Sequence, residues 1–230
     1  MLPPTIELAQ RATIRLVATA HLRPPALAPL ADTDGDLADL AELESATSGR
    51  LVSESRGMAA LAPGELVFGV PRATFINAAF AYTRPGGNRF NGEGRGAWYC
   101  AFECETALAE VAFHLTRALD AVGRYDNTTD YAELLADFIG RFHDLREAGD
   151  ADCLDPDPAV GYPAGQGLAR AVLEADGSGI IYPSMRRRGG TCFAALRPHI
   201  VQNVRSGATW RLVWAGGREP RTVRLDALQA

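Results

Sequence analysis

The chain has 230 residues, of which 47% are hydrophobic and 22% charged, enough to bury a full core and most economically organised as one domain over 1–230. A formal net charge of −5 leaves no basic footprint for direct nucleic-acid binding. No apolar run is long enough to span a membrane and no charged leader precedes an apolar one, which predicts a cytoplasmic protein.

In chain order, Thr13 to Ala18 alternates apolar with polar and predicts a strand carrying Arg15 on one face. A Pro- and Ala-rich passage follows, and the stretch of about 24–63 reads as an irregular insertion, with a short helix near Asp36 to Ser48. Glu65 to Phe80 is apolar, with Val67, Phe68 and Val70 before Pro71, and predicts a strand and then an irregular turn. Arg84 to Gly96 is a glycine-rich loop leading into a strand at Ala97 to Phe102.

Glu105 to Leu119 is the clearest helix. Leu108, Val111, Ala112, Leu115 and Leu119 form one apolar stripe, and Glu110 and His114, four residues apart, lie on the opposite side with Phe113 nearby. Tyr131 to Leu145 fits helical and strand periods alike. Asp155-Pro156-Asp157-Pro158 reads as a turn, and Gln166 to Asp176 as a helix closed by Gly177 to Gly179. Gly179 to Tyr182 and Thr191 to Leu196 then read as two short strands around a basic loop, Arg186-Arg187-Arg188, which is either a solvated run or an anion-binding edge beside Ser184. The sum is an α+β chain with many short strands.

Cys100, Cys104, Cys153 and Cys192 lack the C-x-x-C pairing of a zinc site and the density of a disulfide scaffold. They read as reduced thiols, and no metal is expected. A dinucleotide fingerprint, a P-loop, a nucleophile elbow and an H-E-x-x-H motif are all missing.

Four residues in order suggest chemistry: Arg89 on the glycine-rich loop, Tyr99 on a strand, Glu110 on a helix and Ser184 at a strand end. A guanidinium offers a planar, permanently charged fork for a diphosphate. A tyrosine stacks on a flat heteroaromatic ring. A carboxylate can orient a ribose hydroxyl or offset an oxocarbenium-like centre, and a serine supplies a small donor and acceptor. Together they suit cleavage of the N-glycosidic bond of a nicotinamide dinucleotide, whose leaving group is already cationic and needs positioning more than acid catalysis. Singly, Arg89 is equally a loop arginine, Tyr99 a core tyrosine and Ser184 a turn serine.

Gly86-Gly87-Asn88-Arg89-Phe90-Asn91, Trp98-Tyr99, Ala107-Leu108-Ala109-Glu110 with His114, and Tyr182-Pro183-Ser184 resemble the RES domain family, named for an arginine, a glutamate and a serine. The likeness is strong over Arg84 to Leu115 and fair over Leu168 to Pro198. It implies an ADP-ribosyltransferase-like fold of short-stranded split β-sheets flanked by helices. It also implies a toxin paired with a Xre-type helix-turn-helix antitoxin, in a hetero-oligomer that can include a toxin homodimer.

The activity so implied is NAD degradation, by phosphorolysis with inorganic phosphate, by hydrolysis or by transfer of ADP-ribose to protein. Arg89 would bind the NAD phosphates, Tyr99 face the nicotinamide, Glu110 act at the ribose and Ser184 complete the pocket. A further family arginine matches Arg15 or Arg72, and Arg197-Pro198 stands where many members carry Asn-Pro. A catalytically silent module that only pairs with an antitoxin is the reading from another class.

Overall fold

The computed structural model describes residues 2–22, 61 and 63–225; the helix expected at Asp36 to Ser48 lies outside the described residues. The strands are β1 (Thr5–Ala18), β2 (Trp98–Ala101), β3 (Asp126–Asp144), β4 (Gly179–Pro183), β5 (Thr191–Ala195), β6 (Gln202–Ala215) and β7 (Arg221–Leu225). The α-helices are α1 (Ala73–Ala81), α2 (Cys104–Val122) and α3 (Pro158–Glu174). The α+β expectation is met. β2, β4, β5 and β7 are short as expected, whereas β1, β3 and β6 are long.

The sheet order is β1-β2-β5-β4-β3-β6-β7, and β1 also pairs with β3. Five strands thus form a ring, but two of its seams are narrow. β1 meets β2 at Ile14↔Ala101 alone, and β4 runs parallel to the end of β3 at His143↔Ile180 and Asp144↔Ile181. The long antiparallel β1–β3 ladder, from Thr5↔His143 to Ala18↔Tyr131, therefore faces a small β2-β5-β4 sheet across a split.

Burial on both faces explains the unbroken apolar runs of that small sheet. Ile181 and Phe193 point into one cluster with Trp98, Phe138 and Phe142. Ile180 and Ala194 point into another with Phe90, Tyr182 and Leu196. Phe193 packs against Phe138 and Phe142 at interplanar angles of 58° and 70°, with ring centroids 4.6 and 4.9 Å apart.

Tyr131 to Asp144 is strand, and its buried apolar side chains alternate: Leu134, Ala136 and Phe138 are inside while Ile139, which a helix would bury beside them, is 59% exposed. The long strands carry irregularities held by Asp137. Its carboxylate accepts from the backbone N–H of Ala12 at 2.8 Å and from Asn203 at 3.1 Å, and both residues adopt positive φ at shifts of the ladders.

Three expectations need correction. Glu65 to Phe80 forms no strand: a 3₁₀ turn at Pro63–Glu65 precedes α1, where Ile76, Ala79 and Phe80 bury one helical face. Val67 finds its backbone partner in a side chain, since Asn77 both accepts from its N–H and donates to its C=O. The helix expected from Gln166 starts eight positions earlier, at Pro158, with the Asp157 carboxylate capping the N–H of Ala159 at 2.9 Å. On α2 the fully buried residues are Thr106 and Ala107; Leu108, Leu115 and Leu119 are only half-buried.

Candidate active site

A cavity of about 250 Å³ opens where the split separates β1 from the small sheet. Its walls include Arg15 of β1, Asn88 and Arg89 of the glycine-rich loop, and Tyr99 of β2. Glu110, Val111 and His114 of α2 line it as well, with Tyr162 of α3, Tyr182 of β4, and Arg186. Ala107, Glu110, Val111 and His114 recur at helical spacing. The α2 face that begins buried at Ala107 thus runs out into the cavity.

The loop carrying Arg89 is a closed turn. Asn88 and Asn91 pair backbone to backbone, with the N–H of Asn88 donating to the Asn91 carbonyl at 2.8 Å, and the amide of Asn88 reaches Asn91 Oδ1 at 3.1 Å. Gln166 straps it from α3, donating to the carbonyls of Gly86 and Asn88 at 2.9 and 3.0 Å. Gly87 has φ of 67°, and a Cβ there would overlap the Asn91 carbonyl, so only glycine makes this turn.

Arg89 itself is buried. Its Nη1 donates to the carbonyls of Cys153 at 2.7 Å and Asp155 at 2.9 Å, and its guanidinium lies 5.6 Å from the Tyr162 ring centre. Helix α3 approaches it over two glycines. A Cβ on Gly165 would overlap the Arg89 carbonyl, and one on Gly161 would overlap the Asp155 carbonyl and crowd Nη1. The G-x-x-x-G spacing 161–165 is the sequence signal for this seat. Glycines and Pro163, poor helix formers, hide it from a periodicity reading.

Tyr99 does not present a free hydroxyl. Its oxygen accepts from the N–H of Phe90 at 2.8 Å and donates to Asn91 Oδ1 at 2.9 Å, and burial pushes the phenol well above its ordinary range. The ring lines the cavity while the hydroxyl holds the loop. Arg15 comes from the opposite wall, donating to the Tyr99 carbonyl at 3.3 Å with its guanidinium 5.0 Å from the Trp98 ring. Arg72 sits elsewhere, at the start of α1 against Ser206 Oγ at 2.7 Å. Of the two arginines open from sequence, Arg15 lines the cavity.

Glu110 and Ser184 meet directly. Ser184 Oγ donates to Glu110 Oε1 at 2.6 Å and accepts from the N–H groups of Arg186 and Arg187, both at 3.1 Å. Two backbone donors on the serine oxygen polarise its O–H toward the carboxylate. The start of α2 is pinned to match. Thr106 donates to Glu103 at 2.6 Å, Glu103 accepts from the N–H of Thr191 at 3.1 Å, and Gly190 leaves room for the Thr106 hydroxyl.

His114 lies in the same wall with its Nδ1 buried and, among the described residues, without a hydrogen-bond partner. Burial, then the positive charges of Arg84, Arg186, Arg117 and Arg89, push its pKa down to about 3, so it is a neutral imidazole at physiological pH. The cysteines are free. Burial drives the Cys100 and Cys104 thiols up to about 12, which leaves them poor nucleophiles.

Residues 66–215 match the RES domain family model. The chain belongs to the RES domain family. Arg89, Glu110 and Ser184, the arginine, glutamate and serine singled out in the sequence, all fall in the matched region of this RES chain; Arg89 and Glu110 line the cavity, and Ser184 stands behind Glu110, hydrogen-bonded to it. Arg15 falls outside that region. No curated protein matches the RES chain. Among solved structures it is similar to the crystal structure of the M. tuberculosis MbcT–MbcA toxin–antitoxin complex, at 16% identity and a TM-score of 0.42 over 96% of this chain and 86% of that one. Among the described residues no helix is long and apolar enough to cross a membrane. Sequence reasoning missed Tyr162 and Gly161 in this RES site, because it began α3 beyond them.

Proposed function

We propose that this protein is the toxin of a toxin–antitoxin pair and that it degrades NAD by breaking the bond between nicotinamide and ribose. The observation that carries the reading is the Ser184–Glu110 hydrogen bond of 2.6 Å, which orients Glu110 in the wall of a cavity also lined by Arg15, Arg89 and Tyr99. Membership of the RES domain family supports it.

In this reading Arg15 and Arg89 hold the dinucleotide phosphates. Most of the Arg89 guanidinium remains for that task, since its backbone contacts use Nη1 alone. The Tyr99 and Tyr162 rings flank flat parts of the substrate. Glu110, oriented by Ser184, stabilises positive charge developing on the nicotinamide ribose. As the N–C1″ bond breaks, its electron pair goes to the nicotinamide nitrogen, which leaves neutral. An oxygen of inorganic phosphate bonds to C1″, giving ADP-ribose 1″-phosphate. No step calls for a metal.

The partner in this proposal is a Xre-type helix-turn-helix antitoxin that covers the cavity in a cytoplasmic hetero-oligomer. The test is incubation of purified protein with NAD, with and without phosphate, and identification of the products. Phosphate-dependent loss of NAD with formation of ADP-ribose 1″-phosphate is expected. Free ADP-ribose at a rate indifferent to phosphate would assign a glycohydrolase instead, and label transferred to protein an ADP-ribosyltransferase. Intact NAD would leave the silent antitoxin-binding module.

A further inference from the structure

The basic loop between β4 and β5 carries three arginines with different surroundings. Arg188 is exposed, and Arg187 donates to Thr106 Oγ at 3.3 Å. Arg186 alone lines the cavity. Its guanidinium carbon lies 3.4 Å from the centre of the Phe113 ring, a flat stack that fixes the plane of its donors. One nitrogen, Nη2, donates to the Pro156 carbonyl at 2.8 Å.

Among the described residues the rest of the group has no hydrogen-bond partner. Nε is buried and has no hydrogen-bond partner among the described residues, a costly state for a cationic donor. Burial also pulls the guanidinium below its ordinary pKa, with Glu110 acting in the opposite direction. The N–H groups of Arg186 and Arg187 on Ser184 Oγ tie its backbone to the Ser184–Glu110 pair. The cavity is electropositive despite Glu110, because Arg15, Arg89 and Arg186 all line it.

We propose that Arg186, held flat against Phe113, is a phosphate-binding site in the cavity wall beside Ser184 and Glu110, and that it receives the attacking inorganic phosphate. The proposal rests on the NAD-cleaving reading of the same cavity. Phosphate bound here sits at the ribose end, next to the residues assigned to the bond broken, whereas Arg89 enters from the loop on α3. A dianion held by a guanidinium fork would present an oxygen for attack on C1″, and Phe113 explains why an aromatic stands beside the polar face of α2.

The experiment has two arms. Inorganic phosphate alone is titrated into wild type, R186Q, R186K, F113L and R188Q by calorimetry, with circular dichroism checking each fold. Phosphate affinity should fall at least about tenfold in R186Q, less in R186K and F113L, and stay unchanged in R188Q. In the second arm, phosphate KM should rise by a similar factor in R186Q while NAD KM moves less than about twofold. Phosphate binding by R186Q equal to wild type overturns the proposal. A rise in NAD KM without one in phosphate KM overturns it as well, assigning Arg186 to the substrate diphosphate. Should R186Q not fold, R186K and F113L carry the same comparison. If wild type leaves NAD intact, the functional reading fails and the phosphate titration still decides Arg186.

Discussion

Ser184 and Glu110 lie 74 positions apart and share a hydrogen bond of 2.6 Å. One directly follows β4 and the other faces inward from α2. The serine hydroxyl has a single proton and gives it to the carboxylate, while two backbone N–H groups occupy its lone pairs. The carboxylate is thereby held in one orientation toward the cavity.

Replacing Glu110 by Gln keeps an acceptor for Ser184 and removes the charge. NAD turnover should fall by roughly 10²–10⁴-fold with an unchanged melting temperature. S184A should lose less, because Glu110 remains charged but less well oriented. NAD consumption at the wild-type rate in E110Q would refute the role of Glu110.

The glycines of α3 separate seat from scaffold. Gly165 has no room for a Cβ against the Arg89 carbonyl, whereas nothing lies within 4 Å of a Cβ on Gly167. G165A should destabilise the protein by about 1–3 kcal/mol and raise NAD KM by displacing Arg89. G167A, in the same helix, should be neutral or stabilising by about 0.5–1 kcal/mol. Denaturant midpoints and KM values for the pair provide the check, and equal behaviour would contradict the seat.

Tyr99 acts on the loop through its oxygen. Y99F leaves the ring against the cavity but removes the partner of the Phe90 N–H and the Asn91 side chain. A loss of about 1–3 kcal/mol is expected, the cost of an unsatisfied buried donor. Faster amide exchange at Phe90 and Asn91 would accompany it. Unchanged exchange there would mean that the loop holds without the hydroxyl.

His114 should make stability depend on acid. Its folded pKa is pushed down to about 3, below the ordinary value of about 6.5, so between those limits the unfolded chain binds the extra proton. Stability then falls as pH drops, by at most about 1.4 kcal/mol per pH unit from this group. The charges facing it are Arg84, Arg89, Arg117 and Arg186, with Glu110 in the same wall. H114Q should flatten the curve of denaturant midpoint against pH from 6.5 downward, and an unaltered slope would contradict a neutral buried imidazole.

Much of the site was legible because its residues lie in short segments with strong local signals. Asn88-Arg89-Phe90-Asn91 follows two glycines, Glu110 sits on a long periodic helix, and Ser184 follows a run of buried strand. Other parts misled for physical reasons. Val67, Phe68 and Val70 have strand propensity, but Asn77 supplies their segment with backbone partners and Phe68 is 72% exposed. The α2 stripe of Leu108, Leu115 and Leu119 is apolar, yet the helix buries Thr106, which bonds Glu103 and fills the space left by Gly190, and Ala107, which packs into the cluster of Ile14 and Ile180.

By itself the sequence determined the α+β class, the order of loop, strand and helix that carries Arg89, Tyr99 and Glu110, and the family to which the chain belongs. These rest on local propensity and short motifs, which need no knowledge of distant contacts. The tertiary structure alone decided that Arg15 and not Arg72 reaches the cavity, that the Tyr99 hydroxyl is committed to the loop, and that Arg186 is separated from its two neighbours by a stack on Phe113. Each depends on where the split between β1 and the small sheet opens. That is set by long-range strand pairing, which no local pattern encodes.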